Sequence, residues 1–289
     1  MEDIRGRAAA EIEKYRMIRP GDRVLLALSG GKDSFVLLDI LAEIHDPSKL
    51  VGLSIEEGIA GYNRREDMEK IKKYASERGV EVILTSIKEY VGSSLDEIVA
   101  KSWSRGLNVS PCTYCGTLRR RIFNHYAKTL GVDKTATAHN LDDEAQTAIM
   151  NLLRGDPVRL IRQHPLAPRL SRGFVQRVKP LRKVYEWETT MYAYLKGFRF
   201  QETECRYIEL RPTLRARVRE HLYGLEERHP GSLLRLLELV DRLVEKVMDR
   251  YRELPELPTC RVCGEPTSYS REVCKVCELL YKAGVLADL

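Results

Sequence analysis

The chain has 289 residues, 43% of them hydrophobic, with 48 Lys and Arg against 42 Asp and Glu, for a net charge of +6. That length holds one large domain plus smaller appendages, and no apolar stretch approaches the roughly 20 residues that a membrane-spanning helix needs. The opening residues, MEDIRGRAAAEIEKYRMIRPGD, are too charged for a signal peptide, so a cytoplasmic protein with no membrane partner is expected.

Residues 1–20 read as an N-terminal helix. Val24–Leu28 is a short continuous apolar run, the pattern of a buried strand, and it stops at Ser29-Gly30-Gly31-Lys32-Asp33-Ser34. A helix over Ser34–His45 follows, with Ser34 or Asp33 placed to cap it. A strand, a Gly-rich turn and a helix N-terminus make an anion site, in which backbone N–H groups and Lys32 face phosphate. Asp33 would repel that phosphate unless a metal ion lies between them. The spacing fits neither the Walker loop nor the GxGxxG dinucleotide turn. It resembles the SGGxDS pyrophosphate loop of the ATP pyrophosphatases, which adenylate a substrate and release pyrophosphate.

Strands are predicted at Val51–Ile55 and Val82–Ser86, with a helix over Asn63–Arg78 between them. SPCTYCGTLRRRIFN places Cys112-x-x-Cys115 just before a helix over Gly116–Leu130. There the helix N-terminus and Arg119, Arg120 and Arg121 would lower thiol pKa values. A fourth strand, Lys134–Ala138, runs into AHNLDDEAQ and a helix over Leu141–Leu153. Asp142 or Asp143 fits a plain acid at a capped helix start, and His139 fits either a packed loop histidine or a substrate contact. Strands alternating with helices predict an α/β fold with a doubly wound parallel sheet. Its ligand would sit beyond the carboxyl ends of the strands, where both the Gly-rich turn and AHNLDDEAQ fall.

From Arg154 to Lys183, nine Lys or Arg accompany one acid, Asp156. Arg206, Arg211, Arg215, Arg217 and Arg219 form a second basic cluster and Arg119–Arg121 a third, a distribution that points to nucleic acid rather than to a merely solvated face. After Pro180 the pattern turns helical, over Leu214–Glu227 and Ser232–Arg252, and ELPELPTC reads as a linker. Cys260-x-x-Cys263 and Cys274-x-x-Cys277 are two knuckle-type pairs suited to tetrahedral Zn²⁺, with Gly264 in the knuckle turn; a reducing compartment disfavours disulfides. Cys112 and Cys115 alone fit a redox pair or half a metal site. With Cys205 they make three thiolates, enough for a 4Fe–4S cluster with one open iron, while free thiols or a dithiol is the other reading.

SGGKDS, PCTYCGTLRR, HNLDDEAQ and NLLRGD, in this order, resemble one family. It is the tRNA 2-thiolation enzymes: the TtuA-type 2-thiouridine synthetases and their archaeal and eukaryotic wobble-uridine relatives, with the 2-thiocytidine synthetases more distant. The likeness covers about residues 15–285. The C-terminal cysteine pairs favour the uridine enzymes, and the HNLDDEAQ spelling favours the T-loop enzyme over the wobble one. The resemblance implies that Ala27, Leu28 and Ser29 meet ATP, that Gly30, Gly31, Lys32, Asp33 and Ser34 hold its phosphates with Mg²⁺, and that Leu53 and Ala138 lie against the nucleoside. It implies a 4Fe–4S cluster on Cys112, Cys115 and Cys205, zinc on Cys260, Cys263, Cys274 and Cys277, and catalytic roles for Asp143 and Arg119. Arg119 stands where some relatives carry a lysine, and a guanidinium cannot act as a base.

The expected domains are an ATP pyrophosphatase domain over 21–183, a helical tRNA-facing region over 184–254 and a zinc ribbon over 255–289. No cysteine precedes Cys112, so the family's N-terminal zinc ribbon is either absent in this lineage or lost by a truncated start. The implied reaction is adenylation of a tRNA uridine at its C2 oxygen, followed by sulfur transfer. The sulfur donor would be free sulfide or a ubiquitin-like carrier, and relatives imply a homodimer. Two rival classes remain: a pyrophosphatase that adenylates a small molecule, against which the basic clusters and the cysteine pairs argue, and a non-catalytic RNA-binding protein, against which the intact SGGKDS argues.

Overall fold

The computed structural model describes all residues except 63, 201, 202, 204, 210–213, 253, 254, 288 and 289. Asn63 and Arg211, placed above in a helix and in a basic cluster, lie outside the described residues, as do Glu253 and Leu254 of the linker. In chain order the elements are α1 (Glu2–Lys14), β1 (Val24–Ala27), α2 (Lys32–Ile44), β2 (Leu50–Glu56), α3 (Arg64–Glu77) and β3 (Glu81–Ser86). Then come α4 (Ile87–Val91), α5 (Leu95–Ser104), α6 (Pro111–Thr129), β4 (Lys134–Ala136), α7 (Leu141–Leu153), α8 (Pro157–Gln163) and β5 (Gln176–Val178). The rest is helical: α9 (Glu186–Leu195), α10 (Arg206–Glu209), α11 (Leu214–Arg228), α12 (Ser232–Arg252) and α13 (Lys275–Lys282).

The five strands form one parallel sheet in the order β3-β2-β1-β4-β5. Val24, Leu25 and Leu26 on the central strand are completely buried, as expected for a strand covered by helices on both faces. One core, with Leu26, Val36, Leu37 and Leu41, packs α2 against the sheet; the other, with Leu25, Leu53, Leu118 and Ile122, packs α5 and α6 on the opposite face. The chain leaves β1 towards β2 on one side and reaches β4 on the other. A crevice therefore opens at the carboxyl ends of β1 and β4, the topological switch point of such a sheet.

Two expectations are corrected here. The fifth strand was not foreseen: Gln176–Val178 is three residues long, carries Arg177 at its centre and buries only Val178, so it shows no strand periodicity. The basic stretch 154–183 is also not one surface. Arg182 is fully buried, with its two guanidinium nitrogens 2.8 and 2.7 Å from the carboxylate of Asp241 on α12, and Glu11 of α1 also faces it. Lys179 is tied to the buried Glu144 at 2.7 Å. A buried charge persists only when paired, so these cations brace the helices and do not face a ligand.

A candidate nucleotide and iron–sulfur site beside a zinc ribbon

The loop after β1 is shaped by its own side chains. Gly30 takes φ +78, and a Cβ there would come within 2.9 Å of the Asp67 side chain, so only glycine fits. The Gly31 N–H donates to Ser29 Oγ at 3.3 Å, and Ser34 Oγ donates back to the Gly31 carbonyl at 2.7 Å. Helix α2 starts at Lys32 on an N-cap Gly31 without a side-chain cap, which corrects the expectation that Ser34 or Asp33 caps it. The first N–H groups of the helix are thus left for a ligand, the arrangement that an anion needs.

Helix α9 packs on α2 and brings two residues to the loop. Lys32 Nζ lies 3.0 Å from Glu186 and 3.1 Å from Asp33. Burial pulls the ammonium pKa down, but the two carboxylates outweigh it and hold it above its ordinary value. Asp33 Oδ1 accepts from Thr189 Oγ1 and from Asn140 Nδ2. Asn140 is itself the N-cap of α7, accepting from the Asp143 N–H at 3.0 Å. HNLDDEAQ is therefore a capped helix start, with Asn140 as the cap and Asp142 and Asp143 as acids in the first turn. Asp142 accepts from the Glu186 N–H at 2.7 Å.

Asp143 faces the crevice with one oxygen 3.3 Å from Arg215. Burial first, and then the charges of Asp33, Glu144 and Glu186, outweigh Arg215 and raise its carboxyl to about 6. His139 donates to or accepts from Thr137 Oγ1 at 2.8 Å; burial, with Lys179, Arg177 and Arg215 nearby, pulls its pKa down to about 4, so the ring is neutral at physiological pH. A carboxyl raised from 3.8 to about 6 stabilises the fold below pH 3.8, and that contribution disappears as pH rises through 6. Asp143→Asn should therefore raise the Tm at pH 7 in magnesium-free buffer by about 2–4 °C, as suits a partly solvated charge. The gain should vanish below about pH 4. An unchanged Tm difference across a pH series would contradict this.

Cys112 and Cys115 lie inside the first turns of α6, whose N1 residue is Pro111, and not before the helix as the sequence suggested. Cys205 immediately precedes α10, which packs against α6, and with Cys115 it lies on the same apolar cluster. The structure thus joins the three cysteines across about 90 residues of chain. Their sulfurs do not all lie within 4.8 Å of one another. A single ion held by all three is therefore not the arrangement here, whereas a cubane seats each thiolate on a different iron. The expected depression of the thiol pKa values is reversed: burial drives Cys115 up to about 11 despite Arg119, and Cys205 is raised as well. Thiolates in that setting need a metal's charge. Arg119 points its guanidinium between Cys115 and the buried Glu57, 3.6 Å away.

The ribbon cysteines meet the demand of a single ion. The sulfurs of Cys260, Cys263, Cys274 and Cys277 all lie within 4.8 Å of one another, with Cys263 and Cys274 3.7 Å apart. Four ligands on a tetrahedron at about 2.3 Å from Zn²⁺ would be about 3.8 Å apart. Gly264 takes φ +70 in the knuckle turn. Arg121, on the same helix as Cys115, donates to Cys274 Sγ at 2.9 Å and to Cys263 Sγ at 3.1 Å, neutralising part of the thiolate charge. Cys260→Ser should lower zinc content and the ribbon's resistance to proteolysis while the iron chromophore persists, because the two sets of thiols are separate. Loss of iron absorbance from a still-folded Cys260→Ser protein would show that the cysteines are divided differently.

A cleft of about 650 Å³ joins the phosphate loop, Asp143, helix α6 and the ribbon, and Cys112, Cys115 and Cys205 do not line it. Of the residues expected at the site, Ala27, Ser29, Asp33, Ser34, Ala138, Asp143 and Arg119 line it, and the ribbon closes one wall through Glu265 and Cys274. Leu28, Gly30, Gly31 and Lys32 form the loop behind it. Leu53 is fully buried in the core and its carbonyl accepts from the Leu28 N–H. Glu186 and Thr189 escaped the sequence reading because no motif marks them, while Arg215, read there as one member of a basic cluster, reaches Asp143. Asn140, the third residue of AHNLDD, carries the N-cap signal of that motif, an Asn just before an apolar-periodic helix.

Comparison with known proteins agrees with this architecture. A PP-loop domain family matches residues 4–224. The cytoplasmic tRNA 2-thiolation protein 1 of Oryza sativa subsp. japonica is 37% identical over 268 residues, covering 91% of this chain and 70% of the relative. A probable sulfurtransferase of Methanocaldococcus jannaschii is 34% identical over 97% of this chain and 80% of its own length. Among solved structures, the U34-tRNA thiolase NcsA from Methanococcus maripaludis with its [4Fe-4S] cluster superposes with a TM-score of 0.75 at 29% identity, covering 98% of this chain and 91% of that one. On its loop, its sheet and these relatives, the chain belongs to the PP-loop tRNA thiolation family.

Proposed function

We propose that this chain is a cytoplasmic, ATP-dependent tRNA 2-thiolating enzyme that acts on the wobble uridine. The observation that carries the reading is the single cleft on which the phosphate loop, Asp143 and the cysteine-bearing helix α6 converge. The T-loop uridine favoured by the HNLDDEAQ spelling gives way to position 34, since the relative that superposes over almost the whole chain is a U34 thiolase.

In this reading the ATP phosphates rest on the N-terminus of α2, and Lys32 neutralises the charge that builds on departing pyrophosphate. Asp33 and Asp143, whose charges burden each other, are the residues that would hold Mg²⁺, which supplies charge neutralisation for the triphosphate when bound. The uridine C2 oxygen attacks the α-phosphorus, pyrophosphate leaves, and the oxygen becomes part of a leaving group. Sulfur then forms a bond to C2 as the C2–O bond breaks and AMP departs with the oxygen. Cys112, Cys115 and Cys205 would hold the 4Fe–4S cluster, which supplies a Lewis-acid site for the sulfur. Arg119 stays charged at every working pH, so its role is to stabilise negative charge beside Cys115. The target base reaches the cleft by leaving its stack.

The reading assigns residues 21–183 to ATP handling, 184–254 to the tRNA-facing helices and 255–289 to the ribbon. It keeps sulfide or a ubiquitin-like carrier as donor and a homodimer as the assembled state. The test is nucleoside mass spectrometry of unmodified tRNA after anaerobic incubation with the protein, ATP, Mg²⁺ and sulfide, with the thiolated position mapped. 2-Thiouridine at position 34 is expected. Sulfur in the T-loop or on cytidine would overturn the wobble assignment, and AMP release without any thiolated tRNA would overturn the thiolation reading.

A further inference from the structure

We propose that Arg120, Arg162 and Arg177 form a phosphodiester subsite that receives the RNA backbone next to the target nucleotide. The inference rests on the tRNA reading above and adds to it which residues grip the chain at the cleft. The three side chains come from three elements, α6, α8 and β5, and all line the same cleft as Asp33 and Asp143. Each is open to the cleft.

What separates them from the other arginines nearby is the absence of a carboxylate at ion-pair distance. Arg119 faces Glu57, Arg121 holds two thiolates, Arg182 is clamped by Asp241, Arg215 reaches Asp143 and Arg159 pairs with Asp156. Among the described residues, Arg120, Arg162 and Arg177 have no carboxylate within 4.0 Å and donate no hydrogen bond to protein. They stand close enough to oppose one another. Desolvation by the walls of the cleft comes first, and then the charge of Arg159, Arg119 and Arg162 lowers Arg120 against the pull of Cys115, while Arg120 and Arg162 lower Arg177 against the pull of Glu144. Gathering like charges in a crevice is costly, and only an arriving anion relieves it.

The anion is not the nucleotide. The loop already supplies Lys32 on a helix N-terminus, and these three arginines form a second positive field on other elements. An RNA strand carries one negative charge per nucleotide, and forked guanidinium donors match phosphate oxygens. A strand that delivers its base to Asp143 must thread the same cleft, so the phosphates flanking that base are the ones within reach.

The experiment measures binding of unmodified tRNA to the full chain by fluorescence anisotropy from about 50 to 200 mM KCl. It compares wild type with Arg120→Gln, Arg162→Gln, Arg177→Gln, the triple variant and a triple Arg→Lys variant. Each single change should weaken binding by roughly tenfold, and the triple should flatten the log–log salt slope by about two to three. The Lys variant should restore the slope, the KM for ATP should stay unchanged, and the Tm of the Gln variants should hold or rise because mutual repulsion is relieved. Unchanged affinity and slope in the triple variant would overturn the subsite, as would a fall in Tm that tracks the loss of binding. A raised ATP KM with an intact tRNA slope would reassign the arginines to the nucleotide. Wild type without salt-dependent tRNA binding would instead overturn the tRNA reading itself.

Discussion

Lys32→Ala is expected to reduce AMP formation by about 10²–10³ fold, the usual consequence of removing one preorganised donor from a developing charge. The effect should fall at the large end of that range. In the native loop Lys32 neutralises both Asp33 and Glu186, so its removal leaves two carboxylates facing the triphosphate. Asp33→Ala should be comparably damaging for the opposite reason, losing a carboxylate for the metal and freeing Thr189 and Asn140. Affinity for tRNA should change by less than about twofold, since neither residue touches the unpaired arginines of the cleft and distant changes act independently. The assay is release of AMP and pyrophosphate alongside tRNA binding. Wild-type turnover in either variant would remove the adenylation mechanism, and a parallel loss of tRNA binding would show that loop and RNA grip are one site.

The second large effect concerns the three cysteines of α6 and its neighbour. Replacing Cys112, Cys115 or Cys205 by Ala should each abolish thiolation and bleach the broad visible absorbance of anaerobically reconstituted protein, because two thiolates do not hold a cluster firmly. Adenylation should survive, since the ATP loop is built from other residues. A dithiol mechanism gives a different pattern: Cys205→Ala would keep most of its activity while the other two would not. Normal thiolation by Cys205→Ala, with no iron bound by wild type, would establish Cys112 and Cys115 as a sulfur-carrying pair. The raised pKa at Cys115 weighs against that alternative, because a buried thiol held protonated is a poor nucleophile.

Most of the frame was legible in the sequence because its signals are local. The apolar run Val24–Ala27, the paired glycines after it and the alternation of strand with helix follow from backbone preferences that a few residues settle among themselves. The four ribbon cysteines were equally plain, since two CxxC turns present their sulfurs at short range before any distant packing occurs. What the tertiary structure alone decided is which charges meet. Nothing near Lys32 in sequence announces Glu186 or Thr189, which arrive because α9 packs on α2. Nor does anything in the run 154–183 tell the buried, paired Arg182 from the open, unpaired Arg162 and Arg177. Composition counts both as basic, but the cost of desolvating a charge depends on the partner that the fold places beside it. The Cys115 thiol shows the same point. A helix N-terminus and neighbouring arginines suggest a lowered pKa, yet burial against the α5–α6 core outweighs both, because desolvation is set by the whole surrounding fold and not by the residues adjacent in the chain.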